Sequence, residues 1–319
     1  MAITKNYQTE ERLRQMALTA YPKLQVESIT ELTEGMCNAA YLFTFHDGSK
    51  SVLKIAAENH QGRMTNERNL METEVKAMRL LEQTDSVRVA KIHYYDTSHM
   101  LCDADYFFME ALPGKSLYSM REELTEEEKN RIHYEIGLAE HAISEIRGEK
   151  FGLLGEQEHT HETLYAFVYE LIGNVLSDAD KKQVVIGVDA EEILTQLCQD
   201  KAAFDEVKKP ALVHWDMWEG NLFIYEKHLA GIIDWERAMW GEAFMDDRFR
   251  RHTRHPEFLR GYGQTSFSQN EMRRILWYDV LLYLTMMTEG AYREYEDDGQ
   301  YQWIKPLFEA SWNELTLNC

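Results

Sequence analysis

The sequence predicts an α+β fold with two lobes, a small lobe built mainly of antiparallel β-strands followed by a larger, mostly helical lobe. Three observations support this prediction. Residues 23–110 contain short runs of alternating apolar and polar side chains around one helical pattern, whereas apolar residues beyond residue 110 recur mostly at helical spacing. In addition, 319 residues exceed what a single hydrophobic core usually serves. We therefore expect an N-terminal lobe over residues 1–110 and a C-terminal lobe over residues 111–319.

The N-terminal lobe is predicted to combine five strands with two helices. Apolar residues at helical spacing predict helices over Thr9–Ala20 and Thr65–Gln83. The Asp47-Gly48 pair is a hairpin signal, so the strands that flank it should be antiparallel neighbours. Alternation of apolar and polar residues predicts the strands Ser28–Glu34, Ala40–His46, Ser51–Ala56, Lys91–Tyr95 and Tyr106–Met109.

The C-terminal lobe is predicted to be helical with a short β segment. Thr125 with Glu128, and Ser268 with Glu271, form capping-box signatures that each begin a helix. Periodicity predicts the further helices Thr163–Leu176, Ala190–Val207 and Gln300–Leu315. The β segment comprises Ala211–His214, Asn221–Tyr225 and Leu229–Ile233.

Charge and composition exclude several classes of function. Asp and Glu outnumber Lys and Arg by 55 to 34, which gives a net charge of −21, so long-range repulsion disfavours a nucleic-acid partner. No apolar run approaches the roughly 18–20 residues that cross a bilayer, so no membrane partner is expected. The four cysteines show no CxxC spacing, which is typical of a reducing compartment. We therefore expect a cytoplasmic protein, without a prediction of its oligomeric state.

Polar side chains that suit phosphoryl transfer lie at the ends of the predicted C-terminal strands. A strand ends at His214, Asp216 follows in a loop, and the next strand begins at Asn221. Thirteen residues after Asn221, a further strand delivers Asp234 to its end. Phosphoryl transfer needs a carboxylate that faces the attacking hydroxyl and oxygen ligands that hold Mg²⁺. The spacing therefore predicts a site made of Asp216, Asn221 and Asp234.

These motifs resemble those of a known family. The pattern His214-x-Asp216-x-x-x-x-Asn221 resembles the catalytic loop of kinases, and the segment around Asp234 is similar to the metal-binding motif of aminoglycoside phosphotransferases and their choline, homoserine and fructosamine kinase relatives. The loop is especially similar to its fructosamine-kinase-like form, although the family usually has glycine at the position of Trp215. The resemblance implies a protein-kinase-like fold, with Asp216 as catalytic base or hydroxyl orienter. It also implies Mg²⁺ ligands at Asn221 and Asp234, and a loop-positioning role for His214.

A kinase also needs a lysine on its third strand, paired with a carboxylate on the following helix. Lys54 lies on the predicted third strand, where an apolar setting makes an unpaired lysine costly. Glu74 matches the helix carboxylate of the family, with Glu67 and Glu72 as competitors. The resemblance therefore extends to ATP as the phosphoryl donor.

Two further segments complete the resemblance, which covers roughly residues 28–250. The loop from Gly35 to Asn38 joins the first two strands and corresponds to the phosphate loop, although it contains a single glycine. The segment after the fifth strand resembles the hinge, where backbone groups near Glu110 to Leu112 would meet the adenine.

Several residues near these motifs have two interpretations. Trp215 and Trp218 could pack in the core or form a wall against a substrate. Asp246 and Asp247 could contact a cationic substrate, or fill the structural role that an Asp after this motif has in the family. We interpret the acidic residues late in the C-terminal lobe as a solvated helix end: Glu289, Glu294, Glu296, Asp297 and Asp298.

The combined prediction is an ATP- and Mg²⁺-dependent phosphotransferase that acts on a hydroxyl of a small-molecule acceptor. The acidic chain suits a cationic, aminoglycoside-like or amino-sugar acceptor. The alternatives are a metabolite kinase of the fructosamine, choline or homoserine type, and a catalytically silent nucleotide-binding scaffold. A protein kinase is disfavoured because no Ala-Pro-Glu segment or long activation loop follows Asp234.

Overall fold

The computed structural model describes residues 5–33, 38–57, 63–84, 87–156 and 158–317. An antiparallel sheet of five strands in the order β1-β2-β3-β5-β4 forms the N-terminal lobe, which confirms the predicted α+β architecture. Its strands are β1 (Val26–Leu32), β2 (Ala39–Phe45), β3 (Lys50–Ile55), β4 (Ile92–Asp96) and β5 (Tyr106–Glu110). The helices of this lobe are α1 (Glu10–Ala20) and α2 (Leu70–Leu81).

Alternation along the strands gives the sheet two different faces. One face packs its large apolar side chains, such as Phe43 and Leu53, against Leu13 and Met16 of α1. Phe107 on β5 belongs instead to the apolar cluster that includes α2. Lys54 follows Leu53 and pairs in register with Phe107, so its side chain projects towards α2. The sheet thus places the predicted lysine beside the helix that carries Glu74.

Helix α2 begins later than the predicted start at Thr65. Asn69 has a left-handed backbone conformation with φ 48°, which ends any helix entering from the N-terminal side. Thr65 donates its backbone N–H and its hydroxyl to the Asp178 carboxylate in the C-terminal lobe. Residues 63–69 therefore form a non-helical segment because side chains of the other lobe bind them.

The helices of the C-terminal lobe follow the predicted order. Both predicted capping boxes are present, with Thr125 and Glu128 at one helix start and Ser268 at another. The helix predicted over Ala190–Val207 is interrupted at Asp200, whose carboxylate accepts a hydrogen bond from the Trp277 indole. The helices are α3 (Leu117–Met120), α4 (Glu126–Ser144), α5 (Leu164–Lys181), α6 (Ala190–Gln199), α7 (Lys201–Phe204), α8 (Pro256–Tyr262), α9 (Gln269–Tyr292) and α10 (Gly299–Leu317).

Short strands in this lobe form two small sheets, ordered β11-β10-β6 and β8-β7-β12-β9. They are β6 (Lys115–Ser116), β7 (Phe151–Leu153), β8 (Thr160–His161), β9 (Ala211–Val213), β10 (Leu222–Tyr225), β11 (His228–Ile232) and β12 (Met239–Gly241). The sequence predicted β9, β10 and β11, whereas the others have only two or three residues, too few to show alternation. Strand β6 pairs with β10 directly after the N-terminal sheet ends, and the lobe boundary near residue 110 stays a prediction. None of the helices described here is long and apolar enough to span a membrane.

Candidate active site

The predicted catalytic residues lie where the small C-terminal sheets end. Strand β9 delivers His214, the loop to β10 carries Asp216, and Asp234 follows β11. Two positions in this region have left-handed backbone conformations despite their side chains, Trp215 with φ 73° and Asp234 with φ 67°. Such conformations cost about 1–3 kcal/mol each and cluster at functional sites.

His214 joins the catalytic loop to the strand that carries Asp234. Its Nδ1 accepts a hydrogen bond from the Asp216 backbone N–H at 3.2 Å, and its Nε2 lies 2.9 Å from the Ile233 carbonyl oxygen. The first contact needs an unprotonated Nδ1, so Nε2 carries the hydrogen that it donates. Burial lowers the pKa of His214 to about 4. A neutral, fully buried imidazole between two backbones supports the loop-positioning role rather than proton transfer.

Asn221 also holds the catalytic loop. Its side-chain N–H donates to the Asp216 carbonyl oxygen at 2.8 Å, and its own carbonyl oxygen accepts the Ile233 N–H at 3.0 Å. Because the nitrogen is used within the loop, the side-chain oxygen is the atom that could bind a metal. The arrangement fits the ligand role predicted for Asn221.

Asp216 lies in a strongly charged environment. Burial raises the pKa of its carboxyl well above the usual range, while the Arg237 guanidinium opposes the rise and the carboxylates of Asp234 and Asp247 add to it. The sequence singled out neither this arginine nor its position three residues after Asp234. Arg237 therefore lies among several carboxylates around the predicted catalytic residue.

The predicted Lys54–Glu74 pair is present. Lys54 Nζ lies 2.7 Å from Glu74 Oε2 and 2.5 Å from Asp234 Oδ1. Burial alone would lower the pKa of Lys54, but the carboxylates of Asp234 and Glu74 outweigh it and raise the pKa above its ordinary value. The two competitors are engaged elsewhere, since Glu72 pairs with Lys76 and Glu67 with Arg237. The lysine is thus charged and held between the two lobes.

Glu236 is a buried carboxylate that the sequence did not single out as a site residue. Oxygen atoms of Glu74, Asp234 and Glu236 lie within 4.8 Å of one another. Glu236 also accepts a 2.7 Å hydrogen bond from the Asn38 side chain, whose oxygen in turn accepts the Ala57 N–H at 3.3 Å. Asn38 therefore ties the phosphate-loop end to the Asp234 segment. The other residue predicted in that loop, Gly35, lies outside the described residues.

The hinge residues Glu110 and Leu112 are placed differently from each other. The Glu110 N–H donates to the Lys91 carbonyl oxygen at 2.8 Å, and its carboxylate pairs with Arg88 at 2.9 Å. Leu112 packs so closely on β11 that a side chain at Gly231 would meet it at 2.8 Å. The Glu110 N–H and carboxylate are thus engaged within the N-terminal lobe, whereas Leu112 packs against β11, and their contact with adenine stays a prediction.

The turn at residues 246–248 forms hydrogen bonds with the predicted catalytic loop at Trp215 and Met217. The fully buried Asp246 carboxylate accepts the Trp215 N–H at 2.8 Å and the Arg248 N–H at 3.3 Å. Arg248 Nε donates to the Met217 carbonyl oxygen at 2.8 Å. These contacts favour the structural interpretation of Asp246 over substrate contact.

A buried group of four alternating charges, here named the ionic quartet, comprises Glu67, Arg237, Glu289 and Arg293. Glu67 Oε1 lies 2.8 Å from Arg237 Nη2 and 2.7 Å from Arg293 Nη2, while Glu289 Oε2 lies 3.3 Å from both guanidinium groups. Glu289 is only 7% exposed. The prediction of a solvated helix end is therefore wrong for Glu289, because its carboxylate turns inwards to meet two arginines.

The two tryptophans of the catalytic loop have different surroundings. Trp215 is buried beneath Arg237, whose guanidinium carbon lies 5.2 Å from the ring centroid. Trp218 is 43% exposed and lies 5.7 Å from the ring of Tyr118, which is also exposed. A side chain at Gly220 would overlap the Trp218 ring at 2.1 Å. Glycine at 220 thus permits an exposed aromatic pair beside the catalytic residues, while Trp215 belongs to the core.

Solved structures share this fold over nearly the whole chain. A candidate fructosamine-3-kinase from Thermobifida fusca YX-ER1 is 15% identical with a TM-score of 0.70, covering 94% of this chain and 98% of that chain. A candidate fructosamine-3-kinase from Haemophilus somnus 129PT is 16% identical with a TM-score of 0.69, covering 94% and 96%. A thermostable mutant of aminoglycoside phosphotransferase APH(4)-Ia, solved with AMP-PNP and hygromycin B, is 14% identical with a TM-score of 0.64, covering 94% and 97%.

At these identities the likeness establishes the two-lobed, protein-kinase-like fold alone. No curated protein sequence matches the chain. The model of the family described as "Phosphotransferase enzyme family" matches residues 28–269. This range includes the strand that carries Lys54, the catalytic loop and the Asp234 segment.

Proposed function

This chain belongs to the phosphotransferase enzyme family and is a small-molecule phosphotransferase; we propose that it transfers the γ-phosphate of ATP, held with Mg²⁺, to a hydroxyl of an acceptor that carries an amine. The observation that carries the proposal is the contact of Lys54 with both Glu74 and Asp234 beside a loop that His214 and Asn221 hold in place.

The chemistry of the donor set fits a divalent cation. Carboxylate and amide oxygens are the ligands that Mg²⁺ prefers, and Asn221 and Asp234 present both kinds. The oxygen atoms of Glu74, Asp234 and Glu236 converge beside one lysine, and burial raises the pKa of Glu74 to about 8 and also raises that of Glu236, so these groups have room for a bound cation in place of a proton. Mg²⁺ bound there would neutralise charge on the transferred phosphoryl group. We propose that Asn221 and Asp234 hold it.

The residues of this chain would then act by position and charge. Lys54, oriented by Glu74, would bind the nucleotide phosphates. Asp216 would accept a hydrogen bond from the acceptor hydroxyl and orient its oxygen for in-line attack. His214 keeps the Asp216 backbone fixed without exchanging protons, because its Nδ1 lone pair is occupied. Much of the rate would come from fixed geometry and preorganised charge.

Two features favour an amine-bearing, sugar-like acceptor. The carboxylates of Asp234 and Asp247 lie near Asp216, with Arg237 opposing their effect on its pKa, and these acidic groups would attract an amine of the acceptor. The exposed ring of Trp218 beside Tyr118 offers a face for a sugar ring or a cationic group. Related folds include an aminoglycoside phosphotransferase solved with hygromycin B and candidate fructosamine-3-kinases. Aminoglycosides and amino sugars are therefore the first acceptors to test, with fructosamines, choline and homoserine as the metabolite alternative.

A substrate panel tests the proposal. Purified protein with ATP and Mg²⁺ is incubated with each acceptor class, and ADP and phosphorylated product are measured by mass spectrometry. We expect product from wild type and from the exposed-site control Asp103→Ala, and none above background from Asp216→Ala or Asp234→Ala. Equal behaviour of wild type and both site variants across the panel would support a silent nucleotide-binding scaffold instead.

Cells that express the chain separate the two acceptor classes. An aminoglycoside acceptor predicts raised antibiotic tolerance that is lost with Asp216→Ala, whereas unchanged tolerance favours a metabolite. The cytoplasmic location expected from the sequence is part of this proposal and can be measured by fractionation of the same cells.

A further inference from the structure

Residues 63–69, here named the interlobe segment, connect the N-terminal sheet to α2 but bind the C-terminal lobe. Thr65 contacts Asp178 on α5 through its backbone N–H at 2.5 Å and its hydroxyl at 2.7 Å. The Asn66 side chain donates to the Leu171 carbonyl oxygen at 2.9 Å and accepts from Asn174 at 2.8 Å. The interlobe segment therefore attaches the two lobes to each other at a place separate from the contacts of Lys54 with Asp234 and of Asn38 with Glu236.

Glu67 is the buried charge of this segment, at 8% exposed. Its Oε2 accepts the Met64 N–H at 3.0 Å, which fixes the carboxylate on its own segment. Its Oε1 is shared by the guanidinium groups of Arg237 and Arg293. Both oxygens are thus committed, so Glu67 is built into the interior rather than offered to solvent.

Arg237 contacts both Glu67 and the ring of Trp215 in the predicted catalytic loop. It follows Asp234 by three residues, and its guanidinium lies over the ring of Trp215, the residue before Asp216. The Trp215 backbone is itself held by Asp246. A shift of Arg237 would therefore move a ring that adjoins the predicted catalytic residue, and a buried arginine cannot keep its place without a partner.

We propose that Glu67 is a positioning residue for phosphoryl transfer, which holds Arg237 against Trp215 and thereby fixes Asp216 across the lobe boundary. The inference rests on the proposed function, in which Asp216 orients the acceptor hydroxyl. Glu289 and Arg293 complete the charge balance of the quartet and hold Arg237 from the C-terminal lobe. Glu67 is the one member contributed by the N-terminal lobe, so the catalytic loop is fully held when the interlobe segment is docked.

Steady-state kinetics with the best acceptor of the panel test this inference. Glu67→Gln is expected to lower kcat roughly 10- to 100-fold, because small misplacements of a catalytic group have effects of this size. The KM values for ATP and acceptor should stay within about twofold, since Glu67 touches neither proposed binding surface. Glu67→Asp keeps the charge and should recover part of the lost kcat. Asn174→Ala is the matched control, because it removes a hydrogen bond of the same segment and leaves the quartet intact.

A second variant keeps the test decisive if Glu67→Gln folds poorly. Glu67→Gln with Arg237→Gln removes one charge of each sign and leaves Glu289 paired with Arg293. If Glu67 acts through Arg237, the double variant should have the same kcat as Arg237→Gln alone. A kcat of the double variant roughly tenfold or more below that of Arg237→Gln alone, or a kcat loss of that size in Asn174→Ala, would overturn the inference. A wild type that is inactive with every acceptor would instead contradict the proposed function.

Discussion

The two charged clusters around the catalytic loop differ in their balance. On the nucleotide side, one lysine, Lys54, faces three carboxyl groups, those of Glu74, Asp234 and Glu236, and burial raises the pKa of Glu74 to about 8 and also raises that of Glu236. In the ionic quartet, two arginines face two carboxylates at distances of 2.7 to 3.3 Å. Uncompensated buried charge is costly and persists where a ligand will neutralise it. The comparison is consistent with the proposal that the first cluster binds a cation, whereas the second pairs each charge within the protein.

The largest expected effect comes from removing a charge of the unbalanced cluster. Asp234→Asn should lower kcat by roughly a thousandfold, because a preorganised charge at the phosphoryl group is lost. Stability without ligands should change little, since two carboxylates still face Lys54. Single-turnover kinetics and thermal unfolding with and without Mg²⁺ and ATP check both parts. A large loss of ligand-free stability would contradict the proposed difference between the clusters.

The balanced cluster should respond in the opposite way. Arg237→Gln leaves two buried carboxylates with one arginine, and we expect unfolding to become easier by about 3 kcal/mol or more. Chemical denaturation measures this change. The exposed pair of Arg14 with Glu10 provides the control, because Arg14→Gln should have little effect. If the two substitutions have equal effects, the quartet does not stabilise the fold.

His214 is a neutral buried group between the Asp216 and Ile233 backbones, and its burial predicts that stability depends on pH. Its folded-state pKa of about 4 lies below the unfolded value of about 6.5, so the unfolded chain binds protons more readily. The contribution of His214 to stability should therefore fall by about 2–3 kcal/mol as pH decreases from 6.5 to 4, and the half-buried His133, whose pKa burial lowers to about 3, acts in the same direction. Denaturation across this range checks the slope. It should weaken in His214→Gln and persist in the exposed-site variant His46→Ala.

The smallest expected effect concerns the exposed aromatic pair outside both clusters. Trp218→Ala should raise the acceptor KM roughly 5- to 30-fold through loss of a ring contact. The KM for ATP and the stability should stay unchanged because the Trp218 side chain is exposed. Tyr225→Ala is a matched control, since Tyr225 is similarly exposed at 48% on β10. An unchanged acceptor KM would place the acceptor on another surface.

The sequence could predict the parts of the site that local patterns determine. The Lys54 strand was recognisable because alternation sets which face a side chain occupies, and Asp216, Asn221 and Asp234 because each follows or precedes a short apolar strand. Two capping boxes were predicted because their residues are three positions apart. These features depend on neighbours in the chain.

Features that depend on distant residues could not be predicted. Glu67 meets Arg237 across 170 positions, and no local pattern distinguishes Glu67 from the surface carboxylate Glu72. Helix α2 was predicted to start at Thr65 because its helical periodicity is real, yet Asp178 removes that residue from the helix. Glu289 was assigned to the surface because acidic residues usually lie there.

The interlobe segment attaches the N-terminal lobe to the C-terminal lobe at a place other than the chain connection between them. Two lobes joined only by the chain can rotate relative to each other about that connection. Lobes that are also joined by side-chain contacts are more restricted in how they can rotate. Separating the lobes here would require release of Thr65 from Asp178 and of Glu67 from two arginines. The contacts of Lys54 with Asp234 and of Asn38 with Glu236 would also have to break. Opening the lobes would thus break several buried ionic contacts at once, so we expect the cleft to open little when a ligand binds.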